Sequence, residues 1–176
     1  QQNFSLLSGA VAASNAITVD EESTDTSLGL TAPTDADGDS LTITVTGLPT
    51  LGTVTLADGT AVTNGQTLTA AELQGLQYDA PADYNGTDAV GSFTYSVNDG
   101  TETVNGSVGI TVTTVNDAPV AADDPINAAE DTPVTIAVRG NDTDPEDDPL
   151  TVTAVTQGAN GSVAIVSAMS RTDAYT

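Results

Sequence analysis

The feature that most constrains this sequence is a repeat that holds at one fixed offset without a gap. A shift of 109 residues carries Glu21 onto Glu130, Asp35 onto Asp144, Asp39 onto Asp148, Leu41 onto Leu150, Gly52 onto Gly161, Val54 onto Val163 and Leu56 onto Ile165. Acidic, glycine and alternating apolar positions coincide together, and a shared period of this kind marks a tandem architecture. The second copy starts near Ile126, and Thr176 corresponds to residue 67 of the first, so counterparts of Leu68 to Val115 are not in the sequence. A sandwich without its later strands has an open edge and an uncovered apolar face. Two expectations follow: the second copy is cut short, or another chain completes it by adding strands. The apolar stretch around Phe4, Leu6 and Leu7 is the natural donor.

Within each copy the local pattern is that of half-buried strands. Leu41, Ile43 and Val45 alternate with Thr42, Thr44 and Thr46; Phe93, Tyr95 and Val97 alternate with Thr94 and Ser96; Val108, Ile110 and Val112 follow the same rule. Side chains at every second position share one face, so each run offers one face to a core and one to water. Asp58-Gly59, Asn64-Gly65, Asn85-Gly86, Asp99-Gly100 and Asn105-Gly106 read as turns, since Gly and Asn take positive φ at low cost. Thr69, with Glu72 three residues on, predicts a capping box and one or two helical turns up to Leu76.

Charge narrows the function. The 25 acidic residues face only two cations, Arg139 and Arg171, and no histidine, for a formal net charge of −23. Such a chain repels nucleic acid and anionic membranes and attracts cations. The aromatic share is 3%, a composition that elsewhere signals disorder, but the 38% apolar content is arranged with period two. Without Cys there is no thiol chemistry, and without His, Cys or Lys the usual general bases and activated nucleophiles are missing. Carboxylate pairs can hydrolyse glycosides, but that requires a cleft with stacking aromatics, and Trp is absent. No enzyme is expected. No apolar run is long enough to span a membrane.

The acids cluster at strand ends. Glu21 and Glu22 follow the first strand; Asp35, Asp37 and Asp39 precede Leu41; Asp79 follows Tyr78; Asn116 and Asp117 close the first copy; Asp144, Glu146 and Asp148 precede Leu150. Hard oxygen ligands at short spacing on loops suit calcium, which takes six to eight oxygens in loose geometry. Zinc would call for His or Cys. The segment at Asp35 is no EF-hand loop, because Gly38 stands at the fourth position instead of the sixth and Thr46 stands where the twelfth-position Glu belongs.

Taken in order, these segments resemble the cadherin-like, Ig-like tandem repeats of large bacterial surface adhesins. "LTAPTDADGDSLTITV" looks like the cadherin A-x-D-x-D segment running into a strand, and "TTVNDAPV" is similar to the D-x-N-D-N-x-P linker, with Asn116, Asp117 and Pro119 in register. "VDEES" and "AAEDTP" stand where that family has its first acidic ligand, and the likeness spans about Ile17 to Ile165. Thr114 replaces the first linker Asp and Ala118 the second Asn, which puts some linker positions in doubt. The resemblance implies an all-β, Greek-key β-sandwich. It divides the chain into an N-terminal extension (1–15), a first sandwich (16–118) and an incomplete second one (119–176). It also implies Ca2+ held by Glu21, Glu22, Asp79, Asn116, Asp117, Asp144 and Glu146. Asp148 is a weaker ligand there, and Asp35, Asp37 and Asp39 serve a preceding module.

The expected function is a calcium-rigidified extracellular spacer in a surface adhesin, with neighbouring repeats as its partners. The alternatives are a fibre subunit that exchanges strands with other copies of itself, and a module whose loops bind carbohydrate or protein. Nucleic acid and membrane insertion are excluded as partners by the charge and the lack of a span.

Overall fold

The computed structural model describes residues 9–166; the proposed donor residues Phe4, Leu6 and Leu7 lie outside that range. The chain divides into two compact units, Gln1–Asp117 and Ala118–Thr176.

The first unit is a two-sheet sandwich. Its strands are β1 (Asn15–Asp20), β2 (Thr26–Ser27), β3 (Thr42–Gly47), β4 (Thr53–Thr55), β5 (Thr67–Leu68), β6 (Gln77–Asp79), β7 (Ser92–Asn98) and β8 (Thr103–Thr113). One sheet runs β1-β8-β7-β3-β5 and the other β2-β6-β4. The period-two pattern does what it predicts: Ile43, Val45, Phe93, Tyr95, Val97, Val108, Ile110 and Val112 are all buried, and the intervening Thr and Ser residues face out or lie at the margin. Between the sheets these side chains meet Val19, Leu28, Val54, Leu68, Leu73, Leu76 and Tyr78 in one core. Burial of apolar area on this scale is the main favourable term for such a module.

Helix α1 (Ala70–Gln74) closes the gap between β5 and β6. The capping box is formed: the Thr69 amide donates to Glu72 Oε2 at 2.7 Å, and the Glu72 amide donates back to Thr69 Oγ1 at 3.2 Å. Two otherwise orphaned helix donors are thereby satisfied.

Four of the five expected turns have Gly at positive φ, namely Gly59, Gly65, Gly86 and Gly100. The fifth does not turn. Asn105-Gly106 lies inside β8, with Gly106 paired to Tyr95 across the ladder. A Cβ at Gly106 would run into the Tyr95 ring and the Ala13 carbonyl, so glycine here makes room for an aromatic ring. The Tyr95 hydroxyl passes over it to donate to Ala13 O at 2.7 Å. Ala10 belongs to the same core, and Val11 bridges to Thr34, so residues 10–13 are tied to the first sandwich.

The second unit carries the repeat's signature in its backbone. Val120 bridges Thr143 as Val11 bridges Thr34. Positive φ recurs at the same offset: Glu22 with Asp131, Gly38 with Asp147, and Gly52 with Gly161. Asp144 Oδ1 accepts from the amides of Glu146 and Asp148, as Asp35 Oδ1 accepts from Asp37 and Asp39. Yet among its described residues the second unit has no strand longer than that single bridge. Among the described residues, nine of the eleven large apolar side chains that stand exposed belong to it.

Candidate metal centre

The exit end of the first sandwich gathers the acids. β1 runs parallel to β8, and the two finish together, with Asp20 beside Thr113. The Glu21 amide extends the ladder by donating to Thr113 O at 2.9 Å. This fixes the Glu21 side chain inward, where the residue is 3% exposed. A carboxylate cannot be held there without partners. Glu21 Oε1 accepts from the Val115 amide at 2.6 Å, and Oε2 accepts from the Tyr84 amide. Asp117 of the same unit presents a carboxylate oxygen within 4.8 Å of one on Glu21.

Other expected ligands lie on turns at the same end of the unit. Glu22 takes a left-handed φ of 60°, and its amide donates to Pro81 O at 3.0 Å, so the turn after β1 is clamped to the loop after β6. Asp79, at the end of β6, accepts the Asp25 amide on Oδ1 at 2.7 Å, which commits that oxygen to holding the turn. Asn116 Nδ2 donates to the Asp117 carbonyl at 2.7 Å. Glu21, Glu22, Asp79, Asn116 and Asp117 therefore share one end of the unit, with Glu21 and Asp117 the pair whose carboxylates approach.

Asp35, Asp37 and Asp39 sit at the opposite end. Their loop leads into Thr42, which pairs with Asn98 far from the Thr113 end. There Asp35 Oδ1 accepts from the amides of Asp37 (2.9 Å) and Asp39 (3.1 Å), a self-contained turn. Asp144, Glu146 and Asp148 form the matching loop of the second unit.

Sequence reading missed the donors that hold Glu21. They are the main-chain amides of Tyr84 and Val115, and an amide leaves no trace in residue type. Asp20, also passed over, accepts from Thr113 Oγ1 at 2.5 Å and locks the last pair of the β1–β8 ladder.

Two or more carboxylates packed this closely repel when partly desolvated, and a divalent cation reverses the sign. The donors are hard oxygens without nitrogen or sulfur, the set calcium prefers. Hence this end of the unit offers the hard-oxygen donors that could hold a cation.

No curated protein matches the sequence significantly. Among the described residues no helix is long and apolar enough to cross a membrane. A family model described as a bacterial Ig domain matches twice in tandem, over residues 8–113 and 116–176. Such domains are generally non-catalytic structural modules, typical of surface proteins. Two matches, a two-sheet sandwich and a repeated backbone pattern agree: the chain belongs to the bacterial Ig domain family.

Proposed function

We propose that this chain is a calcium-stiffened, cadherin-like extracellular spacer from a surface adhesin, built of repeats joined in tandem. The observation that carries the reading is the buried Glu21 carboxylate with a carboxylate oxygen of Asp117 within 4.8 Å, at the end where the chain leaves the sandwich. Glu21 and Asp117 are the first ligands, and Glu22 and Asn116 lie on the adjoining turns. Asp144, Glu146 and Asp148 of the second repeat, and Asp35, Asp37 and Asp39 of the first, are the further calcium ligands of this reading. Calcium there neutralises the clustered charge and restricts bending at each junction. Neighbouring repeats are the partners. Sites of this class work at about 10⁻⁴ to 10⁻³ M calcium, the range of an outside medium.

The test is calcium titration of the full chain by calorimetry and thermal melting. Binding in the range above is expected, with stabilisation of about 2.7 kcal/mol per site at calcium about 100-fold over Kd. Glu21→Gln and Asp117→Asn should each weaken binding at least about tenfold, the effect of removing one charged ligand. A melting temperature that ignores both calcium and chelator would refute the reading.

A further inference from the structure

An asparagine followed by glycine carries a reaction of its own. The glycine amide nitrogen, having lost its proton to water, attacks the asparagine Cγ; ammonia leaves from Nδ2, and water opens the resulting cyclic imide to aspartate or isoaspartate. The chain gives up one side-chain amide and gains one carboxylate. The first unit holds this dipeptide three times, at Asn64-Gly65, Asn85-Gly86 and Asn105-Gly106. The reacting pair is the same at each, so the fold around it decides the rate. Asn105 is extended inside β8, and Gly106 is buried against the Tyr95 ring and the Ala13 carbonyl. Ring closure there needs the ladder to open first. Gly65 commits its amide to Val45 O at 2.8 Å, so the attacking nitrogen is occupied. Asn85-Gly86 differs on both counts. Its two residues are exposed and outside any strand, and among the described residues the Gly86 amide makes no hydrogen bond.

We propose that Asn85 is a self-modifying site, converted to aspartate and isoaspartate in the folded chain ahead of Asn64 and Asn105. Beyond exposure, the loop assists the reaction. Asn85 Oδ1 accepts from the Thr87 amide at 3.0 Å and from the Thr87 hydroxyl at 2.6 Å. That oxygen gains negative charge when the Gly86 nitrogen adds to Cγ, and donors already in place stabilise the charge as it forms. The same bonds close an Asx turn, which holds the side chain over the backbone that follows it and lowers the entropy cost of ring closure. Gly86, at a φ of 77° and without a Cβ, leaves its nitrogen open to approach. The modification falls beside the candidate metal centre. Tyr84, one residue earlier, gives its amide to Glu21 Oε2. Isoaspartate lengthens the main chain by one methylene at this point, and either product adds a negative charge. The modified loop therefore loosens the seat of Glu21, whether or not that seat serves calcium.

The experiment incubates the full chain at mildly alkaline pH and follows the three dipeptides by peptide mapping with mass spectrometry. In the folded chain Asn85 should convert at least about tenfold faster than Asn64 or Asn105. In urea strong enough to unfold the chain, the three rates should draw together. Thr87→Val keeps the amide at that position and removes the hydroxyl, and it should slow conversion of Asn85 by about two- to tenfold, the worth of one hydrogen bond. In the modified fraction the Tyr84 amide should exchange its hydrogen faster than in fresh protein. The proposal is overturned by equal rates in the folded chain, by a lead at Asn85 that urea leaves intact, by a rate in Thr87→Val that is unchanged or higher, or by a Tyr84 amide as protected after modification as before.

Discussion

Residues 42–47 and 151–156 read almost alike, Thr-Ile-Thr-Val-Thr-Gly against Thr-Val-Thr-Ala-Val-Thr, and only the first is a strand. The difference lies in what pairs with them. Ile43 and Val45 are paired with Val97 and Tyr95 on β7, and Leu68 on β5 pairs with Ile43 from the other side. The second segment keeps Val152 and Ala154 in the places of Ile43 and Val45, and among the described residues it joins no ladder. Strand propensity is largely a fit to a pleated, half-buried surface, so a strand-like sequence with nothing beside it stays irregular.

The sharpest way to break this comparison is one substitution made at both repeat positions. Val54 is 2% exposed and its counterpart Val163 is 50% exposed. Val54→Ala should destabilise the first unit by about 2 to 3 kcal/mol through lost burial and a cavity. Val163→Ala should cost less than about 0.5 kcal/mol. Urea unfolding by circular dichroism measures both, and equal costs would mean that the second unit has a core of its own.

A smaller effect tests how the first unit secures its entry strand. Tyr95→Phe keeps the ring over Gly106 and removes the hydroxyl bond to Ala13 O, for a loss of about 1 kcal/mol. Amide exchange should speed up around residues 10–15 and stay unchanged in residues 118–166.

The smallest expected effect is on pH. The Thr69 amide, followed by its hydroxyl, holds the Glu72 carboxyl below its ordinary value. A carboxyl lowered in the folded state stabilises above its unfolded pKa, and that contribution is lost as pH falls through the folded value. The first unit's melting temperature should therefore drop on acidification below the ordinary carboxylate range. In Glu72→Gln that drop should be shallower, and the variant should melt slightly lower at neutral pH.

Much of the first unit was legible in residue order. Alternation located β3, β7 and β8, and the Thr69–Glu72 spacing located α1, because both signals are local. Asn105-Gly106 misled for a tertiary reason: its glycine serves a ring on the next strand instead of a turn. At the candidate site the charged positions could be read and their grouping could not. Glu21 and Asp117 are far apart in sequence, and what seats Glu21 is a pair of main-chain amides. The 109-residue offset correctly carried the Asp35 turn onto Asp144, since that turn is closed by its own residues. It could not carry β3 onto residues 151–156, since β3 depends on strands much later in the chain.

The parallel pairing of β1 with β8 has a mechanical consequence. The chain enters the first sandwich at the Asn15 end of that ladder and leaves at the Thr113 end. Tension applied along the polypeptide therefore drags these two neighbouring strands in opposite directions. Six residue pairs, Asn15–Val108 through Asp20–Thr113, take the load in shear together instead of opening one after another like a zip. The Asp20–Thr113 hydroxyl bond and the Glu21 amide extend that loaded seam at its far end. A module wired in this way resists being pulled longer.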